Sequence, residues 1–166
     1  MTVSTESVRV DNRKVIEKVA CRVYNSANQE NLTDATWNKL SLNTRSYDLG
    51  GNWDTTNFKF TAPVTGLYKI SGQCTFVDNS VITASKYALR ILKNGATESV
   101  IAFVHSSNVH ELSIPINDEL FLNEGDYIEF YVNLSVGANT VDVLAGTNVT
   151  YFLMRLINKE GVRQVV

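Results

Sequence analysis

The side chains that could do chemistry in this sequence are two cysteines, two histidines and a few neighbouring carboxylates. Cys21 and Cys74 lie far apart in the chain, and neither His105 nor His110 has a cysteine near it. These spacings match neither a zinc motif nor a nucleophile with its base. We therefore expect no metal centre and no catalytic residue. Cys74 is expected to be a buried free thiol, with a Cys21–Cys74 disulfide as the less favoured alternative.

The carboxylates and the glycine pair also lack the pattern of a reactive site. Asp118–Glu119 and Glu124 with Asp126 are close in sequence, which is typical of solvated turns rather than of an acid and base pair. Gly50–Gly51 precedes Asn-Trp, not the Lys-Ser/Thr helix start of a phosphate-binding loop. Asp78–Asn79 could offer oxygen ligands to calcium, although a polar loop is the simpler interpretation. The sequence thus predicts a protein that is not an enzyme and holds no cofactor.

Two tryptophans suggest a different kind of site. Trp37 and Trp53 bracket a segment, 36–56, that is rich in Asn, Thr, Asp and Gly. If exposed, a flat Trp ring could stack on a sugar while the amides bind its hydroxyls. If buried, both rings would cap a β-sandwich. Trp37 and Trp53 are therefore candidate ligand-binding residues, and the buried alternative stays open.

Length, composition and charge indicate what kind of protein must position these residues. The chain has 166 residues, 44% of them hydrophobic, with 15 basic and 17 acidic residues and a net charge of −2. This length can bury a full core in one domain. The charge excludes binding to nucleic acid or a membrane surface by bulk attraction. Residues 1–11 lack the apolar stretch of a signal peptide, so we expect a protein that is cytosolic or leaves its cell by another route, such as inside a virus particle.

Apolar and polar residues alternate with the period of β-strands. Val19, Cys21 and Val23 share one side of their segment, and Asn94–Gly95 is a strong hairpin-turn signal. Helical periodicity is hard to find. Short alternating segments between turns predict an antiparallel sandwich. The predicted strands cover 18–24, 56–61, 67–77, 87–93, 99–105, 109–116, 120–122, 127–134 and 149–157.

Four segments carry a resemblance to a known family. The run APVTGLYKISGQCTF at 62–76, which follows the aromatic-rich NFKF, resembles the Pro-x-x-Gly-x-Tyr strand of C1q-like and tumour-necrosis-factor-like domains. ALRILKNG at 88–95, LFLNEGDYIEFYV at 120–132 and TYFLMRL at 150–156 follow in the family's order. The resemblance implies an all-β, antiparallel, two-sheet jelly roll of ten strands that assembles as a homotrimer.

The resemblance also implies a division of the chain. The jelly-roll domain is predicted at 18–157, after an N-terminal arm at 1–17 and before a short C-terminal tail at 158–166. The chain lacks the collagen-like stalk of complement proteins, and Leu153 stands where relatives commonly have Gly.

Strand parity combined with the resemblance predicts the subunit interface. Alternation turns Ile128, Phe130 and Val132 towards the core, and in the last strand it turns Phe152, Met154 and Leu156 the same way. The residues between them then face outward. In the family the corresponding sheet faces the three-fold axis. The resemblance therefore implies an interface lined by Tyr127, Tyr131, Tyr151, Leu153, Ser71 and Gln73.

Two functions follow from these expectations. The favoured one is a trimeric virion protein that decorates a capsid or tips a fibre, attached to a capsid or other virion protein by its arm or loops. The alternative is a C1q-like module at a cell surface or outside the cell that recognises a glycan or a protein. Neither function involves nucleic acid or membrane insertion.

Overall fold

The computed structural model describes residues 18–78, 85–106, 110–135 and 141–159, with only the backbone at 78, 85 and 98–106. Within these ranges the chain forms twelve strands and no helix. They are β1 (Ala20–Tyr24), β2 (Trp37–Lys39), β3 (Thr44–Leu49), β4 (Trp53–Asp54), β5 (Lys59–Thr61), β6 (Gly66–Asp78), β7 (Ser85–Lys93), β8 (Ala96–Ser106), β9 (Glu111–Leu122), β10 (Tyr127–Ser135), β11 (Val141–Val143) and β12 (Tyr151–Lys159). The predicted arm at 1–17 lies outside the described residues, whereas β12 runs two residues into the predicted tail.

The strands form two antiparallel sheets. In the first sheet the order is β11-β6-β12-β1-β3, and β9 pairs along the other edge of β6. In the second sheet the order is β4-β5-β10-β7-β8, and β2 also pairs with β10. The predicted all-β sandwich of two antiparallel sheets is confirmed. Strand order is far from chain order, because β6 joins β12 and β10 joins β5 across long stretches of sequence.

The core lies between the two sheets and follows the predicted alternation. In β10 every second residue is buried, from Ile128 to Leu134. Aromatic rings from opposite sheets meet there, and each such pair adds about 0.5–1.5 kcal/mol beyond the burial of its area. The pairs, with centroid separations of 4.1, 5.7 and 5.0 Å, are Phe130–Phe152, Phe60–Tyr68 and Phe76–Tyr87.

The two cysteines belong to this core. Cys21 on β1 and Cys74 on β6 are completely buried and free, so the predicted thiol at Cys74 is confirmed and the alternative disulfide is not formed. Burial raises the pKa of both thiols, because the thiolate cannot be hydrated inside the sandwich. Both side chains therefore act as small apolar residues.

Three details of the strand prediction need correction. The segments predicted separately at 109–116 and 120–122 are parts of one strand, β9, because the polar residues between them still pair with β6. Phe58 does not share a strand with Phe60: it lies in a turn with a φ of 51°. The strands β2, β3, β4 and β11 were not predicted, and with them the described part of the chain has twelve strands rather than the ten that the resemblance implied.

The hairpin between β7 and β8 is formed as predicted. Asn94 and Gly95 have φ values of 51° and 80°, the positive values that a two-residue hairpin turn requires. The Asn94 side chain also fixes the neighbouring turn, since its Nδ2 donates to Asp126 Oδ1 at 2.7 Å. Two turns at this end of the sandwich are thereby joined.

Candidate functional site

Each sheet has an outer face turned away from the core. The first outer face consists of the outward side chains of β3, β1, β12, β6 and β9. Register places them in rows across the sheet, and the central row runs from Tyr47 on β3 to Asn117 on β9. Between these ends the row contains Arg22, Leu153 and Ser71.

The exposed large apolar residues of the described ranges all belong to the first sheet. Tyr47 and Leu49 on β3 are 42% and 46% exposed, Phe121 on β9 is 48% exposed, and Ile157 on β12 is 43% exposed. Strands lie about 4.8 Å apart, so β3 and β9 are separated by roughly 19 Å across the sheet. The first outer face therefore carries apolar groups near both of its edges.

A small depression lies on the first outer face. It has a volume of about 230 Å³ and is lined by Tyr47, Lys69, Ser71, Leu153, Met154 and Arg155. Lys69 and Arg155 face each other directly across β6 and β12. We call this depression the Lys69–Arg155 pocket.

Arg22 is a further cation on the first outer face, and its guanidinium is engaged within the chain at one terminal nitrogen and over a ring, whereas its buried Nε has no hydrogen-bond partner among the described residues. One of its terminal nitrogens donates to the Thr147 carbonyl at 2.5 Å, and the group lies 4.2 Å above the ring of Tyr151. Gln73, in the next row, donates to the Val149 carbonyl at 3.0 Å. These contacts hold the part of the face around Arg22, Gln73 and Tyr151 against the loop that precedes β12.

The second outer face consists of the outward side chains of β2, β10 and β7, and its aromatic rings are covered by the chain's own cations. The Arg90 guanidinium lies 4.0 Å from the ring centroid of Trp37 and 5.3 Å from that of Tyr131. Lys59 lies 4.8 Å from the Tyr127 ring. Such contacts contribute about 0.5–1 kcal/mol each at exposed sites. The second outer face is therefore a polar surface on which cations of the same chain cover part of the aromatic rings.

The six predicted interface residues do not share a face. Ser71, Gln73, Tyr151 and Leu153 lie on the first outer face, but Tyr127 and Tyr131 lie on the second, because β12 and β10 belong to different sheets. Parity within each strand was predicted correctly, whereas the grouping on one sheet was wrong. Contact of these residues with another copy is not tested by the structure; it stays a prediction for the four on the first outer face, and the two on the second outer face no longer belong to the predicted contact.

The two tryptophans do not form a common platform either. Trp53 is only 3% exposed, its Nε1 donates to the Leu42 carbonyl at 2.9 Å, and its ring packs near Phe130. A ligand site that uses Trp53 is therefore wrong for this structure, and its ring caps the core as the alternative proposed. Trp37 is half-buried beneath Arg90. Ligand binding at Trp37 stays a prediction.

The remaining reactive side chains are dispersed. His110 is exposed before β9, and the His105 side chain lies outside the described part of the structure. Asp126 is held in a turn by Asn94 and by the backbone of Asn123, and these hydrogen bonds lower the pKa of its carboxyl. Among the described residues, no three His, Cys, Asp or Glu side chains are placed to hold a metal ion. The side chains of the calcium hypothesis at Asp78–Asn79 lie outside the described residues.

Within the described ranges there is also no helix long and apolar enough to cross a membrane.

Comparison with known proteins identifies the fold. Eiger TNF from S. frugiperda matches with a TM-score of 0.60 at 13% identity, covering 90% of this chain and 99% of that one. The globular domain of zebrafish complement 1qA matches with a TM-score of 0.54 at 16% identity, covering 87% and 100%. Murine APRIL matches with 0.59 at 11% identity, covering 84% and 99%. The chain has the jelly-roll fold of TNF and C1q domains, and the resemblance seen in the sequence is confirmed at the level of fold.

A scan against protein-family models and a search of curated proteins both find no match.

Proposed function

We propose that this protein is a non-enzymatic, homotrimeric binding module whose subunits meet through the first outer face. The observation that carries this proposal is the location of Tyr47, Leu49, Phe121 and Ile157, which are all on the first sheet and all more than 40% exposed. Clusters of exposed apolar side chains favour contact with another protein surface. The occupant we propose is a second copy of the chain.

The position of the apolar groups supports a ring rather than a two-fold dimer. A two-fold interface pairs one surface with itself, whereas a ring joins two different surfaces of each subunit. Here β3 and β9 carry exposed apolar groups at opposite sides of one face. The β9 side of one copy can therefore cover the β3 side of the next. The TNF and C1q fold supports closure of this ring with three copies.

Charge on the first outer face is compatible with the same arrangement. Lys69 and Arg155 lie on the interior strands β6 and β12, while Glu119 is exposed on the edge strand β9. The ion pairs between described residues are Lys39–Glu129, Arg45–Asp48 and Lys93–Asp126, so none of these three side chains is used in one. An acidic edge that meets a basic face would steer the copies together.

The surface left for a partner is the second outer face with the loops at both ends of the sandwich. The second outer face carries the Lys39–Glu129 ion pair and the cation-covered rings of Trp37, Tyr127 and Tyr131, which suit a polar partner such as a glycan or a protein surface. Attachment to a virion through residues 1–17 is the narrower form of this proposal. It depends on a segment outside the described residues, and mass spectrometry of purified virions would test it.

Light scattering tests the assembly. We expect a mass three times that of the 18.5 kDa chain at micromolar concentration. A monomer under those conditions would overturn the trimer. A glycan array probed with the intact trimer then tests recognition, and a signal that survives Trp37→Ala would place the contact away from that ring.

A further inference from the structure

The lining of the Lys69–Arg155 pocket contains two positive charges and no acidic side chain. Lys69 and Arg155 are directly opposed across β6 and β12, the position at which like charges destabilise a sheet. No ion pair within the described part of the chain includes either residue. Arg22, one row away, is committed to the Thr147 carbonyl and the Tyr151 ring. Glu119 lies opposite Lys69 on β9 but forms an ion pair with neither cation, so within the described part of the chain the two charges of the pocket are not directly paired.

The shape and lining of the pocket favour a small group. Its volume of about 230 Å³ is below the roughly 300 Å³ at which pockets for whole small molecules begin. Leu153 and the ring of Tyr47 supply apolar walls, and Ser71 contributes a hydroxyl beside the two cations. Apolar walls reduce the local dielectric constant and so strengthen attraction between opposite charges.

We infer that the Lys69–Arg155 pocket is an anion-binding site that takes one carboxylate or phosphate group. The guanidinium of Arg155 can hold two oxygens of such a group through parallel hydrogen bonds, while the Lys69 ammonium and the Ser71 hydroxyl offer further donors. Binding would remove the repulsion between the two cations. The inference deepens the proposed function and rests on it in part, because the anion can be free in solution or can belong to a neighbouring copy.

Glu119 is the neighbour's group that the fold places best for this role. It is exposed on β9, beside Phe121 at the edge that the proposed ring brings to the next copy. Within its own chain Glu119 is opposite Lys69 in register but forms no ion pair with it.

The first arm of the test uses inorganic phosphate against sodium chloride at matched ionic strength. The melting temperature is measured for the wild type, for Lys69→Gln with Arg155→Gln, and for Lys86→Gln as a control with an exposed lysine on the second sheet. At about ten times its dissociation constant, phosphate should raise the wild-type and control melting temperatures by about 3–5 °C. The double variant should show no rise.

The second arm measures trimer dissociation for Glu119→Gln, Arg155→Gln and both together. If the neighbour's carboxylate fills the pocket, the double variant should raise the trimer dissociation constant by a factor at least about fivefold smaller than the product of the factors for the two single variants. A phosphate effect identifies a free anion, and coupling without a phosphate effect identifies Glu119. If neither is seen, the inference is overturned. Light scattering shows separately whether the trimer forms. A monomer whose melting temperature still rises with phosphate would contradict the proposed trimer but retain the anion site.

Discussion

Replacing Phe121 by Asp should dissociate the proposed trimer. Phe121 is 48% exposed in the isolated chain, and complete burial of a Phe side chain contributes about 1.5–3 kcal/mol. Covering the exposed half therefore contributes about 1 kcal/mol at each contact. A carboxylate placed there adds a desolvation cost of about 1–3 kcal/mol. The change should thus cost about 2–4 kcal/mol at each of three contacts.

Summed around the ring, this cost is about 6–12 kcal/mol. Since 1.4 kcal/mol corresponds to a factor of ten, the association constant of the trimer should fall by about 10⁴ to 10⁹. Light scattering and sedimentation equilibrium at micromolar to hundred-micromolar concentrations measure this directly. Circular dichroism on the same samples should show that the variant remains folded, because Phe121 points away from the core between the buried Leu120 and Leu122.

Tyr131→Asp is the matched control. It makes the same aromatic-to-acid change on the second outer face, where Arg90 is close enough to pair with the new carboxylate. This variant should stay trimeric. A trimer that survives Phe121→Asp, or equal dissociation in both variants, would contradict the assignment of the interface to the first outer face.

Further predictions concern the fold. Gly72→Ala should cost more than about 3 kcal/mol in urea unfolding, because a Cβ there would lie 2.1 Å from the Tyr151 carbonyl oxygen; a variant with unchanged stability would contradict this close approach. Cys21 and Cys74 should react slowly with a thiol reagent until the protein unfolds, since burial raises the pKa of both; rapid labelling of the native protein would disprove it. Hydrogen bonds, chiefly from the side chain of Asn57, lower the pKa of Asp54 to about 2. Its stabilising contribution should be complete above the unfolded pKa of about 3.9 and decline as pH falls towards 2, and Asp54→Asn should remove this part of the acid dependence in pH-resolved melting curves.

Local features of the fold were predictable from the sequence because local chemistry determines them. Asn94 and Gly95 tolerate the positive φ values of a hairpin turn wherever they occur, so the β7–β8 hairpin could be placed in advance. Alternation likewise assigned Cys74 and Phe130 to the core, since successive side chains of a strand point to opposite faces. Short strands such as β2 and β11 carry too few residues to show a period, and they escaped prediction.

The candidate site was only partly predictable. Parity correctly turned Tyr131 and Tyr151 away from the core, but it does not reveal which sheet a strand joins. Only the long-range pairing of β12 with β6, and of β10 with β5 and β7, separated the two tyrosines onto opposite faces. Tyr47 was not singled out in the sequence, because β3 reads as a polar segment and its exposure depends on β1 beside it.

The sequence by itself therefore determined the class of fold, the hairpin turn and the side of each long strand that faces the core. The tertiary structure decided which outward residues share a face, that Trp53 is buried, and that Lys69 meets Arg155 beside a depression. The physical reason is the range of the interactions. Alternation and turn conformation arise between neighbours in the chain, whereas sheet order arises from backbone hydrogen bonds between segments far apart, such as β1 and β12.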